Sequence, residues 1–298
     1  MPIFKIVLLA IVQGFAELLP VSSSAHVVVA EKLMGIDPTT PEMTLLLVML
    51  HTGTMFAVIV YFWNVWMRTY FDGKAMFTRF VKQALWATFL TGIVGEALKV
   101  IIEKTYFHGA PKAQIEMLFG QLQIIAPALL AVGVVIIVAG LEERRKERAG
   151  IKPQEGTPLR LKDAGWMGVV QGLALPFRGF SRSGSTISAG MLLGAAKDSS
   201  ERFSFVLAVI LTPVVDAIEI RRLLKAAHAG AATGAPINLQ GLHGAIGVSL
   251  LGMVFSFLAG LLALKWLNSW LEGGRWHWFG IYCIVASGVV FYLHAHGF

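Results

Sequence analysis

Charge is scarce in this sequence. Only 14% of its 298 residues are Asp, Glu, Lys or Arg, where an average soluble domain has about 25%. A soluble helical bundle needs a polar face on each helix to meet water, so the shortage argues against one. Cysteine is scarcer still: the single Cys283 excludes a disulfide framework and any CxxC redox or metal site. Acids are outnumbered as well, 18 against 25 Lys and Arg, for a formal charge of +7. Most of that excess falls between apolar blocks, where it reports topology, and no nucleic-acid partner is expected.

Hydrophobic residues fill the space instead, at 56% of the chain and a mean hydropathy of +0.68. They come in long blocks. Residues 43–63, 84–102, 118–141, 203–220, 244–267 and 277–295 each give about 20 residues with few or no charges, enough to cross a hydrocarbon core of roughly 30 Å as helix. The chain therefore reads as an all-α polytopic membrane protein with six transmembrane helices. Its start, MPIFKIVLLAIV, resembles a signal peptide, but no small-residue cleavage site follows, and the segment is expected to be retained. Arg68, Lys74, Arg79 and Lys82 lie in 64–83 and seven more basic residues in 142–163, against only Lys104 and Lys112 in 103–117. The positive-inside rule places 64–83 and 142–163 in the cytoplasm, with EERRKERAG as a solvated loop, and Trp270, Trp276 and Trp278 read as an interfacial belt.

Two polar-centred segments, 3–35 and 164–195, do not suit simple spans. Each has two apolar halves too short to cross, joined by QGFAELLPVSSSAH in the first and PFRGFSRSGST in the second. Irregular backbone at membrane depth is tolerated only against protein or a water-filled cavity, so both read as re-entrant helix–loop–helix hairpins. They also repeat: Val12-Gln13-Gly14 returns as Val170-Gln171-Gly172, Leu33-Met34-Gly35 as Leu192-Leu193-Gly194, and Glu42 as Glu201, at offsets of 158 or 159. Three spans between the hairpins make the second repeat inverted, so the two tips meet near the midplane. The expected organisation is one integral membrane domain over 1–298. It comprises a first repeat of about 1–141, a cytoplasmic loop 142–163 and a second repeat of about 164–298.

The second loop has the chemistry of an oxyanion cradle. A charge at membrane depth costs about 2.5–3.5 kcal/mol or more on insertion scales and is functional by default. Arg182, with Arg178 nearby, sits among Ser181, Ser183, Ser185 and Thr186, with Gly179 and Gly184, just before a helix begins. Guanidinium fork, hydroxyls, glycine-freed N–H groups and a helix N-terminus together suit phosphate. The alternative is a structural Arg182–Glu17 pair with serines packing helices. The first loop holds Glu17, Ser22, Ser23, Ser24 and His26 around Pro20, the components of phosphoryl transfer through a covalent intermediate.

These residues resemble the undecaprenyl pyrophosphate phosphatases of the bacitracin-resistance type. The family's first motif is similar to Gln13, Glu17, Pro20-Val21-Ser22-Ser23 and His26, and its second to Gly179-Phe180-Ser181-Arg182-Ser183-Gly184-Ser185-Thr186. Here Pro176-Phe177-Arg178-Gly179 stands where the motif has Pro directly before Gly, which adds Arg178 as an extra cation. Gln13 is one of two residues the family allows there, leaving Glu17 the sole acid of the loop. The resemblance implies hydrolysis of undecaprenyl pyrophosphate to the monophosphate and phosphate, recycling a cell-wall lipid carrier, with Mg²⁺ or Ca²⁺ dependence. Glu17 and Gln13 are the expected cation ligands, and Arg182, Ser181, Ser183, Thr186, Arg178 and Gly184 the phosphate-binding residues. Ser23 is the expected nucleophile with Ser22 or water as alternatives, and His26 the expected base. The implied location is the bacterial cytoplasmic membrane, with membrane lipid as surroundings and a site open to the outer side.

A lipid-phosphate transporter or flippase is the competing reading, because inverted repeats with broken helices are a transporter signature. The Glu17, Ser22, Ser23, His26 cluster discriminates, since binding alone does not need it. His51, in LHTGTM, reads as a satisfied core histidine or a cavity-lining one. Gly190 and Gly194 form GxxxG, suited to packing of the hairpin helix and equally to a homodimer contact. Glu96 and Lys99 are spaced as an i,i+3 pair.

Overall fold

The computed structural model describes residues 2–37, 40–106, 118–150, 159–232, 239–272 and 275–298, leaving out the side chains of 41, 222–232, 239–245 and 270–272. Among the described residues there are ten α-helices and no strand: α1 (Ile3–Leu18), α2 (Ser23–Leu33), α3 (Pro41–Tyr70), α4 (Lys74–Tyr106), α5 (Leu122–Arg148), α6 (Leu161–Ala174), α7 (Arg182–Leu192), α8 (Lys197–Ala232), α9 (Leu239–Glu272) and α10 (Trp276–Ala295). Helices α3, α4, α5, α8, α9 and α10 carry the six stretches long and apolar enough to cross a membrane. Helices α1, α2, α6 and α7 have 11 to 16 residues, about 17–24 Å at 1.5 Å per residue, too short to cross.

The helices outrun the apolar blocks. Between α3 and α4 only 71–73 remain outside helix, with Gly73 at φ 93° making the turn. The EERRKERAG run is likewise not a loop through most of its length: α5 continues to Arg148. Glu142 pairs with Arg145 at 3.5 Å and with Lys146 at 4.0 Å. Apolar windows mark where lipid ends, whereas Glu, Arg and Lys are good helix formers that carry the helix on into water. Lys112 and the side chain of Trp270 lie outside the described residues.

Small residues let the short helices approach the spans. Helix α1 lies against α9, and α6 against α4. A Cβ on Gly168 would run into the Ala87 backbone, and Thr91 Oγ1 donates to Gly168 O at 2.9 Å. Helices α5 and α10 pack antiparallel through a reciprocal contact, a Cβ on Gly133 meeting Gly280 O and one on Gly280 meeting Gly133 O. Ser287 Oγ donates to Ala126 O at 2.6 Å along the same seam. In lipid, where apolar burial between helices gains little, such close van der Waals packing and interhelical hydrogen bonds provide the association. Gly190 is used within the chain, facing Ser200 and Met167. Glu96 and Lys99 pair at 3.9 Å on the α4 surface.

Candidate active site

Both short-helix pairs break at proline and restart at serine. Helix α1 stops at Leu18 because Leu19, ahead of Pro20, is held extended at φ −77°, ψ 150°. The chain turns through Ser22 at φ 70°, and α2 begins at Ser23. Helix α6 stops two residues before Pro176, Gly179 turns at φ 108°, and Ser181 at φ 27° is the N-cap of α7. Ser22 and Ser181 are the two non-glycine residues with positive φ among those described. Both precede the first residue of the second short helix, 159 positions apart, the offset of the sequence repeat. Such backbone costs on the order of 1–3 kcal/mol per residue and persists where surrounding structure enforces it.

The two turns meet. Ser183 Oγ donates to Leu19 O at 3.4 Å, and Cys283 Sγ reaches Pro20 O at 3.6 Å. A Cβ on Gly184 would come within 3.1 Å of Pro20 O. Glu17, on the last turn of α1, lies at the junction. Its Oε1 accepts from Arg182 Nη2 at 2.5 Å, and its Oε2 accepts from Ser23 Oγ at 2.5 Å and Gln13 Nε2 at 3.1 Å. The Arg182 and Glu17 side chains are 18% and 13% exposed, so each charge depends on the other for compensation.

The remaining expected residues divide by place. Ser181 Oγ accepts from Gly184 N–H at 3.2 Å, capping α7. Thr186 Oγ1 donates to Arg182 O at 2.7 Å and meets Ser204 Oγ at 2.5 Å, buried beneath the arginine's backbone. Ser22 Oγ contacts Ser24 Oγ at 3.3 Å rather than Glu17. Arg178 is turned another way: its guanidinium stacks 4.6 Å over the Phe119 ring, within range of the charges of Glu31 and Glu219.

His26 is directed to the Ser22 backbone and to Tyr282 rather than to either serine hydroxyl. Its Nδ1 lies 2.7 Å from Ser22 O and its Nε2 2.7 Å from Tyr282 Oη. A carbonyl only accepts, so Nδ1 carries the proton, and in the neutral ring Nε2 accepts from the tyrosine O–H. The rings stack at 5.6 Å. Tyr282 lies 256 residues away on α10, and nothing in the sequence pointed to it.

His51 reads from the sequence as either a satisfied core histidine or a cavity-lining one. It donates through Nδ1 to Leu47 O at 2.8 Å and presents Nε2 3.8 Å from Glu17 Oε2. Beside it Thr52 Oγ1 donates to Asp216 Oδ2 at 3.1 Å, tying α3 to α8. The expected cation finds no all-protein cage: no three His, Cys, Asp or Glu groups are arranged for one among the described residues. Both Glu17 oxygens already have donors. One carboxylate beside one amide is the donor set left for an ion, which would have to complete its shell with water and substrate phosphate.

Comparison with known proteins gives the family. Residues 6–289 match the family described as bacitracin resistance protein BacA. Undecaprenyl-diphosphatase 2 of Acinetobacter baylyi is 52% identical over 294 residues, covering 97% of each chain. Undecaprenyl-diphosphatase of Rhodopirellula baltica is 31% identical over 98% of each, and undecaprenyl-diphosphatase 1 of Burkholderia pseudomallei 33% identical over 96% of this chain and 95% of its own. With both loops inside the matched residues, this chain belongs to the bacitracin resistance protein BacA family.

Proposed function

We propose that the chain hydrolyses undecaprenyl pyrophosphate to undecaprenyl phosphate and inorganic phosphate where the two loops meet. The observation that carries this is Glu17 holding Arg182 from one loop and Ser23 from the other. Arg182 binds and neutralises the terminal phosphoryl oxygens by exchanging part of its hold on Glu17 for the substrate. The Ser23 oxygen attacks the terminal phosphorus, its proton passing to Glu17 Oε2. The bond to the bridging oxygen breaks, and undecaprenyl phosphate leaves. Water then attacks the phosphoserine, His26 taking its proton, and phosphate departs as the serine O–P bond breaks and Glu17 returns its proton to the serine oxygen. Glu17 and Gln13 would hold Mg²⁺ or Ca²⁺, which supplies further neutralisation of pyrophosphate charge.

The same reading includes two re-entrant hairpins, α1–α2 and α6–α7, in an inverted repeat. The equivalent positions of Ser22 and Ser181, the pairing of α1 with α9 and α6 with α4, and the antiparallel reciprocal seam of α5 and α10 support it. In the bacterial cytoplasmic membrane, with the α3–α4 and α5–α6 connections inside, the site opens to the outer side, where pyrophosphate is released during glycan polymerisation. The test is product analysis with purified protein and undecaprenyl pyrophosphate, with and without chelator. One phosphate and one lipid monophosphate per turnover, lost on chelation, is expected. Lipid translocation in vesicles with no phosphate released under either cation would favour transport.

A further inference from the structure

Away from the reactive loops, four cations from two helices surround a second concavity. Lys74, Arg79 and Lys82 of α4 and Arg160, at the start of α6, line a cavity of about 770 Å³. Arg160 is itself held by Asp163 at 2.9 Å. Among the described residues no acid pairs with Lys74 or Lys82. The first turn of α4 contains no acid, so its N-terminal dipole adds to the positive potential.

The same face of α4 continues as an apolar groove. Thr78 and Lys82 line the basic cavity, while Leu85, Phe89, Gly92 and Glu96 line a shallow groove on the surface of α4 itself that runs on to Ile101. Spacings of three and four place all six on one stripe. Nothing lies within 4 Å of where a Gly92 Cβ would stand, and only 11% of the apolar window of α4 is buried by protein. From Leu85 to Val100 the groove runs about 22 Å, more than half of a hydrocarbon core of roughly 30 Å.

We propose that this face binds an anionic phospholipid, its phosphate among Lys74, Arg79, Lys82 and Arg160 and an acyl chain in the groove beyond Leu85. A ligand with a negative head and an apolar tail matches both halves, whereas a soluble anion uses only the first. A second copy pairing through the same face would set basic cavity against basic cavity. The site also bears on the reactive loop. Arg79 Nη2 donates to Leu159 O at 3.1 Å, and Arg160 Nη2 donates to Leu193 O at 3.1 Å. The cations that hold the lipid thus also grip both ends of the hairpin carrying Arg182, and a bound lipid braces it.

The experiment is native mass spectrometry of the full-length protein in detergent, titrated with phosphatidylglycerol or phosphatidylcholine. Lys74→Ala with Lys82→Ala should weaken phosphatidylglycerol binding about thirty-fold, the equivalent of two surface cations. Gly92→Leu, which fills the groove without touching a charge, should weaken it independently. Both variants should hydrolyse undecaprenyl pyrophosphate in detergent at the parent rate, which also reports that they fold. Equal retention of phosphatidylglycerol by both variants, or equal binding of phosphatidylcholine by the parent, would overturn the proposal. So would displacement of the lipid by millimolar inorganic phosphate, marking a free-anion site, or a mass of two copies that share this face.

Discussion

Replacing Ser23 with Ala removes two things of very different size. The hydroxyl donates to the Glu17 carboxylate at 2.5 Å, and hydrogen bonds to charged groups contribute about 1.5–3 kcal/mol. Glu17 keeps Arg182 and Gln13, so the stability loss should fall at the low end, about 1.5 kcal/mol. Loss of the attacking oxygen is far larger. Removal of a serine nucleophile costs up to about 10⁶ in kcat where it has been measured, and a fall of about 10⁴ or more is expected here, at least ~5 kcal/mol of barrier. KM should change little, since the phosphate is held chiefly by Arg182. Ser22→Ala is the internal control. Its hydroxyl meets Ser24 Oγ at 3.3 Å, a neutral contact of about 0.5–1 kcal/mol, so turnover should stay within about five-fold of the parent. The assay is initial phosphate release from undecaprenyl pyrophosphate at saturating substrate, with folding followed by chromatographic elution. If Ser23→Ala keeps a tenth of the parent rate, or Ser22→Ala is the more damaging change, Ser23 is not the nucleophile.

Tyr282→Phe keeps the ring stacked on His26 and deletes the hydroxyl at Nε2. An ordinary hydrogen bond of about 1 kcal/mol predicts five- to ten-fold slower turnover with KM unchanged, and an unaltered rate would show that the tyrosine does not hold His26 in the working state. Gly179→Ala and Gly194→Ala both place a side chain at positive φ, 108° and 90°. Only at Gly179 would the Cβ also strike Ile125 O, at 2.5 Å, while at Gly194 it meets open space. Thermal unfolding in detergent should therefore show a loss of about 1–2 kcal/mol at Gly194 and about 3 kcal/mol or more at Gly179. Equal losses would mean the turn can move away from α5.

The membrane architecture was legible because it is written in composition. Twenty apolar residues in a row have one common use, and each of the six blocks marks a spanning helix, although 118–141 begins four residues before α5 does. Helix ends were not, because hydropathy marks the edge of lipid and not the end of hydrogen bonding, as Glu142 to Arg148 illustrate. Within the site, Glu17, Ser23 and Arg182 were legible from local rules: polar residues beside a proline break and a charge where lipid should be. Tyr282 was not, and His51 was legible only as one of two alternatives, since their places depend on α3 and α10 packing onto loops far away in sequence. Arg178 was expected to bind phosphate as an extra cation beside Arg182, four residues on. Helix α7 presents one to Glu17, while the turn before Gly179 sends the other over Phe119. That difference lies in backbone direction, which residue type does not encode.

That the two loops act as one site is tested most directly by a double-mutant cycle on Glu17 and Arg182, read as kcat/KM for undecaprenyl pyrophosphate hydrolysis. Arg182→Lys keeps the charge but loses the fork that lets one side chain hold Glu17 and phosphate together, and should cost about 10²–10³. Glu17→Gln frees the arginine from its 2.5 Å contact and removes the acceptor of the Ser23 proton, and should cost a similar factor. Because the two side chains share one hydrogen-bonded junction, the double variant should be within about ten-fold of the worse single. Losses that multiply, toward about 10⁵ in the double variant, would mean that Glu17 and Arg182 work independently and that the loops do not form a common catalytic centre.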